Sequence, residues 1–266
     1  MARVLTRAQS LASSSAFANH PVEVLPSLSP TPEDHPWFGN TVTCAERERI
    51  ITAGLPLVMA RMSEKYRSEA VARSGARLWL SRLLDWLDGF VGDSYQDRWI
   101  ASDSDRQPKA WCPALSTGSH TRLGARLSIN ALIMLGVIRP GHDWLIENKQ
   151  ARFYRDWTTT HEPKAWDRYF AAAEHEGAPE VKKWRTATHL VRISICNGLP
   201  ITELHSQHVL AYRDFLVSTG RMPGDLLAMW HYGRRGGLFA GEADDLRHYL
   251  IAKRLSPTEL VDRFNV

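Results

Sequence analysis

The stretch GARLWLSRLLDWLDGF at residues 75–90 places apolar side chains along one stripe of an α-helix. Trp79, Leu83, Trp86, Leu87 and Phe90 follow the spacing i, i+4, i+7, i+8, i+11, which puts them on one helical face. Alternating runs of β-branched residues, which strands favour, are almost absent from the chain. The sequence therefore predicts an all-α protein in which this stripe is buried in a core.

Helical periodicity continues after this stretch, and proline and glycine divide the chain into segments. Helices are predicted at 120–136, 141–157, 163–175, 179–196, 206–219, 223–232, 242–253 and 257–264. Residues 1–40 include five prolines between positions 21 and 36, which exclude a long helix and predict an extended Ser/Pro-rich arm. The loop EHEGAPE at 174–180 separates a Trp-rich half from a shorter one. We therefore expect two helical bundles, at 41–177 and 178–266.

Composition narrows the class of protein further. The net charge of +4 and the pI of about 9.0 permit an anionic partner such as nucleic acid without requiring one. Cys44, Cys112 and Cys196 are far apart and odd in number, so they predict no disulfide framework and a reducing cytoplasm. The longest apolar run, at 129–138, is much shorter than the roughly 20 residues of a membrane span. Motifs such as GxGxxG and HExxH do not occur, and we expect no cofactor.

Two histidines, His205 and His208, stand three residues apart in ITELHSQHVLAYRDFL at 201–216. They could share a helical face as metal ligands, but a zinc site needs at least three protein ligands, and no second pair has matching spacing. The alternative is a helix start, with His205 or Ser206 as the N-cap and Leu204 packing on Val209. The capping preferences favour the helix start, so we predict no metal site.

The tetrapeptide HLVR at 189–192 has the His-x-x-Arg pattern that tyrosine recombinases use to hold a scissile phosphate. Such stabilisation requires several donors that converge on one phosphoryl group, followed by a tyrosine nucleophile at close spacing. Tyr212 follows too soon and Tyr249 too late for that role. Leu190, Ile193 and Ile195 suit a core helix instead. We therefore predict no catalytic residue in this chain.

Basic residues form two groups that suit a phosphate backbone. The first group lies on the predicted helix 179–196 and the second in HYGRRGGLFAGE at 231–242, where glycines indicate a flexible cationic loop. A solvated helix face is the usual explanation for a cluster such as the first, and an ordinary exposed loop is an equal alternative for the second. The candidate DNA-binding residues are Lys182, Lys183, Arg185, Arg192, Arg234 and Arg235.

Four stretches together resemble a known family. They are LLDWLDGFVGDSYQDRWIASDSD (83–105), LSINALIMLGVIRPGHDWLIENK (127–149), NGLPITELHSQHVLAYRDFL (197–216) and LSPTELVDRFNV (255–266). In this order they resemble the N-terminal region of large actinobacterial tyrosine-type recombinases, or site-specific integrases. The resemblance covers roughly residues 45–266. It rests on diffuse similarity and on the patterns G-x-x-x-Q-x-R-W and VIRPxxxWL.

The resemblance implies a fold and a function. The segment 178–253 is similar to the helical core-binding domain of the family, a SAM-like fold that clamps double-stranded DNA opposite the catalytic domain. Family members continue past ELVDRFNV into the domain that carries the catalytic Arg, His and Tyr residues, and none of those has a matching position here. The chain is then a fragment, a truncated gene product or a stand-alone protein, with a separate catalytic recombinase subunit as a second partner.

Two alternatives from other classes stay open. The first is a helical protein-interaction scaffold in which the ten tryptophans serve the core and an interface. The second is a transcription regulator in which LSPTELVDRFNV at 255–266 forms the first helix of a helix-turn-helix. Exposed tryptophans would mark the functional face of the scaffold, whereas exposed arginines and lysines would mark that of the DNA-binding protein.

Overall fold

A computed structural model describes residues 42–62, 68–103, 119–147, 151–221 and 224–239 of the 266-residue chain. Every regular element within these ranges is helical, which confirms the predicted all-α class. The chain divides into two compact units, residues 1–140 and 141–266. The arm at 1–40, the helices predicted at 242–253 and 257–264, and the helix-turn-helix segment at 255–266 lie outside the described residues.

Four helices form the described part of the first unit: α1 (Cys44–Met62), α2 (Glu69–Leu87), α3 (Tyr95–Ala101) and α4 (Ser119–Met134). Helices α1, α2 and α4 pack against one another, and α3 packs on α2. The face of α2 at their centre carries Leu80, Leu83, Leu84 and Leu87, whose side chains are fully buried. Burial of one leucine side chain contributes roughly 1.5–3 kcal/mol, so this face contributes substantially to the stability of the unit.

The sequence prediction was wrong about Trp86. Its indole is only half-buried and makes an edge contact with Phe90, with the two ring centroids 4.9 Å apart. Trp79 does reach the core, where its ring fills the space beside Gly124: a Cβ at Gly124 would lie 2.4 Å from the indole. The helix turns its Leu80–Leu84 side towards α1 and α4, which leaves Trp86 on the flank of the buried stripe.

The two sequence patterns that carry the family resemblance meet in the first unit. The amide of Gln96 donates to the carbonyl oxygen of Arg139 at 3.2 Å and accepts from the Arg139 backbone N–H at 2.5 Å. Ser94 and Asp97 cap the start of α3 reciprocally, each side chain accepting from the backbone N–H of the other. Trp99 of the same pattern is fully buried. These signature residues therefore fix the connection between α3 and the segment after α4.

The second unit contains α5 (His142–Glu147), α6 (Ala151–Thr160), α7 (Pro163–His175), α8 (Glu180–Asn197), a 3₁₀ turn (Ile201–Glu203), α9 (Ser206–Ser218) and α10 (Leu226–Arg235). Helix α8 contacts each of the others. It buries Ala187, Leu190, Val191 and Ile193 completely, and Gly198 ends it in the left-handed conformation that glycine adopts without strain. The core of this unit is therefore built around α8.

The observed boundary between the compact units differs from the predicted one at 177/178. It falls between Pro140 and Gly141, so that α5, α6 and α7 belong with α8. The loop after α7 is a tight turn in which Gly177 has a positive φ of 68°, and it joins helices that pack on each other. Here, therefore, a loop that contains glycine and proline connects two helices of the same core.

The start of α9 confirms the interpretation of the two histidines as a helix start. His205 is the N-cap, with extended backbone angles, and its backbone N–H donates to Nδ1 of His208 at 2.9 Å. Leu204 and Val209, on either side of the cap, are both fully buried. His208 therefore satisfies an otherwise unpaired backbone donor at the helix start.

No helix among the described elements is both long enough and apolar enough to pass through a lipid bilayer.

Candidate nucleic-acid interface

A groove of about 680 Å³ lies on the second unit, lined by the end of α7, the start of α8 and most of α10. Lys182 on α8 and Arg234 and Arg235 on α10 all line it, as do Glu176 and His231. The structure thus brings together three of the six candidate DNA-binding residues, although Lys182 and Arg234 are far apart in sequence. Two of the lining residues, Glu176 and His231, are groups that the sequence analysis missed.

The arginine-bearing segment is the end of a helix, and the prediction of a flexible loop at 231–242 was wrong for residues 231–235. Helix α10 continues through Arg235, and Gly233 lies inside it, where a Cβ would come 2.1 Å from the Phe239 ring. At Gly236, a Cβ would lie 3.1 Å from the carbonyl oxygen of Arg168 on α7. Glycine here permits close packing, which fixes the backbone that carries Arg234 and Arg235.

The three groove cations differ in their partners. Arg235 pairs with the carboxylate of Glu176 at the end of α7, and its second amino group lies 3.3 Å from Nε2 of His175. Lys182 and Arg234 form no ion pair with any residue that the structure describes. Lys182 and Arg234 are therefore available to an anionic ligand, whereas Arg235 is already paired with Glu176.

Lys183 and Arg185 are each paired with a carboxylate. The Lys183 ammonium lies 3.2 Å from Glu180, and together with the Trp184 indole N–H it holds the pKa of Glu180 below its usual value. Arg185 forms a two-pronged ion pair with Asp225, the residue before α10, with contacts of 2.5 and 3.0 Å. These pairs join α8 to its own first turn and to α10, so both cations have a structural partner.

Arg192 lies inside the unit and away from the groove lining. Its Nε donates to the hydroxyl of Tyr154 at 3.1 Å, and its guanidinium carbon lies 5.3 Å from the centroid of the Tyr154 ring. The Tyr154 hydroxyl in turn donates to the carbonyl oxygen of Leu145 at 2.6 Å. Burial lowers the pKa of Arg192, but the hydroxyls of Tyr154 and Tyr212 outweigh it, and the net shift is upward.

The same cluster contains Tyr212, His142 and His189, of which only His189 is connected to Arg192 by a local sequence pattern, HLVR. The Tyr212 hydroxyl lies 2.9 Å from Nδ1 of His189, and the His142 ring lies 4.7 Å from the Tyr212 ring between centroids. Burial, followed by the charge of Arg192, lowers the pKa of His142 to about 4 and that of His189 to about 3. Both imidazoles are thus neutral at pH 7. We call Tyr154, Arg192, Tyr212, His189 and His142 the interior cluster.

The interior cluster contains a tyrosine, imidazole bases and a cation, which are the kinds of group that a nucleophilic tyrosine requires. Its tyrosine Tyr212, however, is not accessible to a substrate. Tyr212 follows HLVR too closely in sequence for the spacing of a recombinase nucleophile, yet the fold brings it into hydrogen-bonding distance of His189. Its side chain is 0% exposed, and burial raises the pKa of its hydroxyl. A phosphodiester cannot reach this oxygen in the folded unit, and the raised pKa disfavours the nucleophilic phenolate.

The chemistry that the described residues support is therefore the binding of anions at the groove. Groups of three or more His, Cys, Asp or Glu side chains that could hold a metal ion do not occur within the described ranges. Two free cations and a third in an exposed ion pair can contact phosphate oxygens, which accept charge-assisted hydrogen bonds from Arg and Lys.

No protein-family profile, curated protein or solved structure matches this chain.

Proposed function

We propose that this chain binds double-stranded DNA through the groove, as the N-terminal, core-binding part of a tyrosine-type recombinase, without catalysing strand exchange by itself. The observation that carries the proposal is that Lys182, Arg234 and Arg235, chosen from sequence alone, line one groove. Such side chains position a phosphate backbone without reading its sequence. The proposal includes a cytoplasmic location, in keeping with the few scattered cysteines, and a separate catalytic recombinase subunit as partner.

The burial of most of the described tryptophans supports DNA binding over an interaction scaffold. A scaffold that used tryptophans as binding hot spots would expose several of them. Among the described tryptophans, only Trp86 and Trp184 are half-exposed. The indole N–H of Trp184 donates to Glu180, and its ring lies under the guanidinium of Arg155. The other described tryptophans are buried and cannot contact a partner: Trp79, Trp99, Trp144, Trp157, Trp166 and Trp230.

The test is an electrophoretic shift of duplex DNA across a salt series. Each phosphate contact contributes about −0.9 to the slope of log K against log salt, so contacts from Lys182, Arg234 and Arg235 predict a slope of roughly −2 to −3. Replacing both arginines, Arg234→Ala/Arg235→Ala, should flatten the slope by up to about 2 and weaken binding to all duplexes alike.

A matched control removes the same charge elsewhere on the second unit. Lys164 and Arg168 are exposed on α7 and do not line the groove, so Lys164→Ala/Arg168→Ala should change the slope by much less. Failure of the wild-type protein to shift any duplex at low salt would rule out the proposed function. If the two double variants had equal effects on the slope, DNA binding would depend on net charge, and the groove would not be the binding site.

A further inference from the structure

Arg235 is the groove cation whose charge is already engaged. Its guanidinium forms an ion pair with Glu176 and lies next to His175, at the end of α7. Both members of the ion pair are substantially exposed, with 48% of the Arg235 and 43% of the Glu176 side chain accessible. An exposed ion pair of this kind is weak and exchanges partners readily, so a phosphate group can compete with the carboxylate for Arg235.

Glu176 also acts on the groove as a whole, because its carboxylate is part of the lining. A phosphate that enters the groove meets attraction from Lys182 and Arg234, and repulsion from Glu176. For a single anion, this repulsion offsets part of the gain from Lys182 and Arg234. A phosphodiester chain presents several phosphates at once, so its additional contacts outweigh the same repulsion.

We infer that Glu176 is a specificity-determining residue that competes with nucleic-acid phosphate for Arg235. This inference rests on the proposed function. In the free protein, Glu176 holds Arg235 at the end of α7; when DNA binds, the guanidinium exchanges the carboxylate for a phosphate. The carboxylate thereby lowers the affinity of the groove for every phosphate ligand and restricts stable binding to those that supply more than one phosphate.

The variant Glu176→Gln removes the carboxylate charge and keeps the size of the side chain. Because Arg235 no longer has to give up an ion pair before it contacts phosphate, duplex DNA should bind about threefold to tenfold tighter near 0.1 M salt, whereas the salt slope, which follows the number of phosphate contacts in the complex, should change little. The matched control is Glu174→Gln, which removes one charge from the same exposed end of α7 without altering the groove lining. We expect it to change the affinity less than twofold.

A double-mutant cycle shows whether the effect runs through Arg235. If Glu176 acts by holding Arg235, then Glu176→Gln should lose most of its gain in an Arg235→Ala background. Inorganic phosphate, tested at millimolar concentration as a competitor, should displace DNA poorly from the wild-type protein and better from Glu176→Gln. Circular dichroism of each variant confirms that the fold is kept.

The outcomes separate this inference from the proposed function. Wild-type DNA binding with no gain in Glu176→Gln beyond that of Glu174→Gln would overturn the role of Glu176 and leave DNA binding in place. A gain that persists undiminished without Arg235 would also overturn the exchange of partners. If neither the wild-type protein nor Glu176→Gln shifts a duplex at low salt, both proposals are wrong.

Discussion

Two arginines of the second unit, Arg192 and Arg234, carry the same charge in different settings. Arg192 belongs to the interior cluster, where tyrosine hydroxyls and an aromatic ring contact its guanidinium. Arg234 is exposed at the end of α10 and has no ion-pair partner among the described residues. Both were candidate DNA-binding residues in the sequence. The difference teaches that a cation is available to a ligand only where the fold leaves it unpaired and accessible.

The largest expected effect that distinguishes the two settings is a loss of stability in mild acid. His142 and His189 have pKa values of about 4 and about 3 in the folded unit, below their usual 6.5. The unfolded chain therefore takes up protons first, so their contribution to stability is complete above about pH 6.5 and falls as the pH drops. Between pH 6.5 and 5 the free energy of unfolding should fall by about 3 kcal/mol for the two histidines together.

Urea denaturation at several pH values measures this loss. The variants His142→Gln and His189→Gln should each flatten the pH dependence by about half. A free energy of unfolding that stays constant from pH 7 to 5 would contradict the neutral, buried state of both imidazoles.

The next effect concerns Arg192 itself. Arg192→Ala removes the charge-assisted hydrogen bond to Tyr154 and the contact with its ring, which should lower the free energy of unfolding by about 2–3 kcal/mol. The salt slope of DNA binding should not change, because Arg192 does not line the groove. Arg234→Ala should do the reverse, with little change in stability and a flatter slope. A flatter slope for Arg192→Ala would place this residue at the DNA after all.

A smaller effect is expected at Tyr212. Tyr212→Phe removes the hydroxyl that pairs with His189 and should cost about 1–2 kcal/mol of stability. Because the Tyr212 side chain is fully buried, we also expect no covalent protein–DNA intermediate with a nicked suicide substrate. A covalent adduct that the wild-type protein forms and Tyr212→Phe does not would show that the interior cluster opens and reacts.

The smallest effect is expected for a cation that has a carboxylate partner on its own helix. Lys183 pairs with Glu180 three residues before it, and such pairs contribute a few tenths of a kcal/mol. Only 16% of the Lys183 side chain is exposed, so the variant Lys183→Met, which keeps the stem and removes the charge, isolates the ion pair. It should change stability by less than about 0.5 kcal/mol and the salt slope by less than Lys182→Met does. Equal changes in slope for the two lysines would mean that pairing with Glu180 does not withhold Lys183 from DNA.

The helices themselves were largely predictable from the sequence. The bounds 163–175 were predicted for α7 and are observed, and those of α8 and α9 differ by one residue at most at either end. Within the predicted run 141–157 the structure describes α5 and the first part of α6, and α10 begins and ends later than predicted. The boundary between the units was not predictable from loop composition, because a Gly- and Pro-containing turn serves equally well within a core and between two cores.

The sequence by itself determined the helical class and most of the described helix ends, and it included Lys182, Arg234 and Arg235 among six candidate cations. Helix formation and capping depend on residues within about four positions of each other, as at His205 and His208, so a linear pattern contains the required information. Only the tertiary structure decided which cations are free. Arg192 meets Tyr154 across 38 residues, and Arg235 meets Glu176 across 59. Pairing and burial at such separations follow from the packing of whole helices, to which no local pattern corresponds.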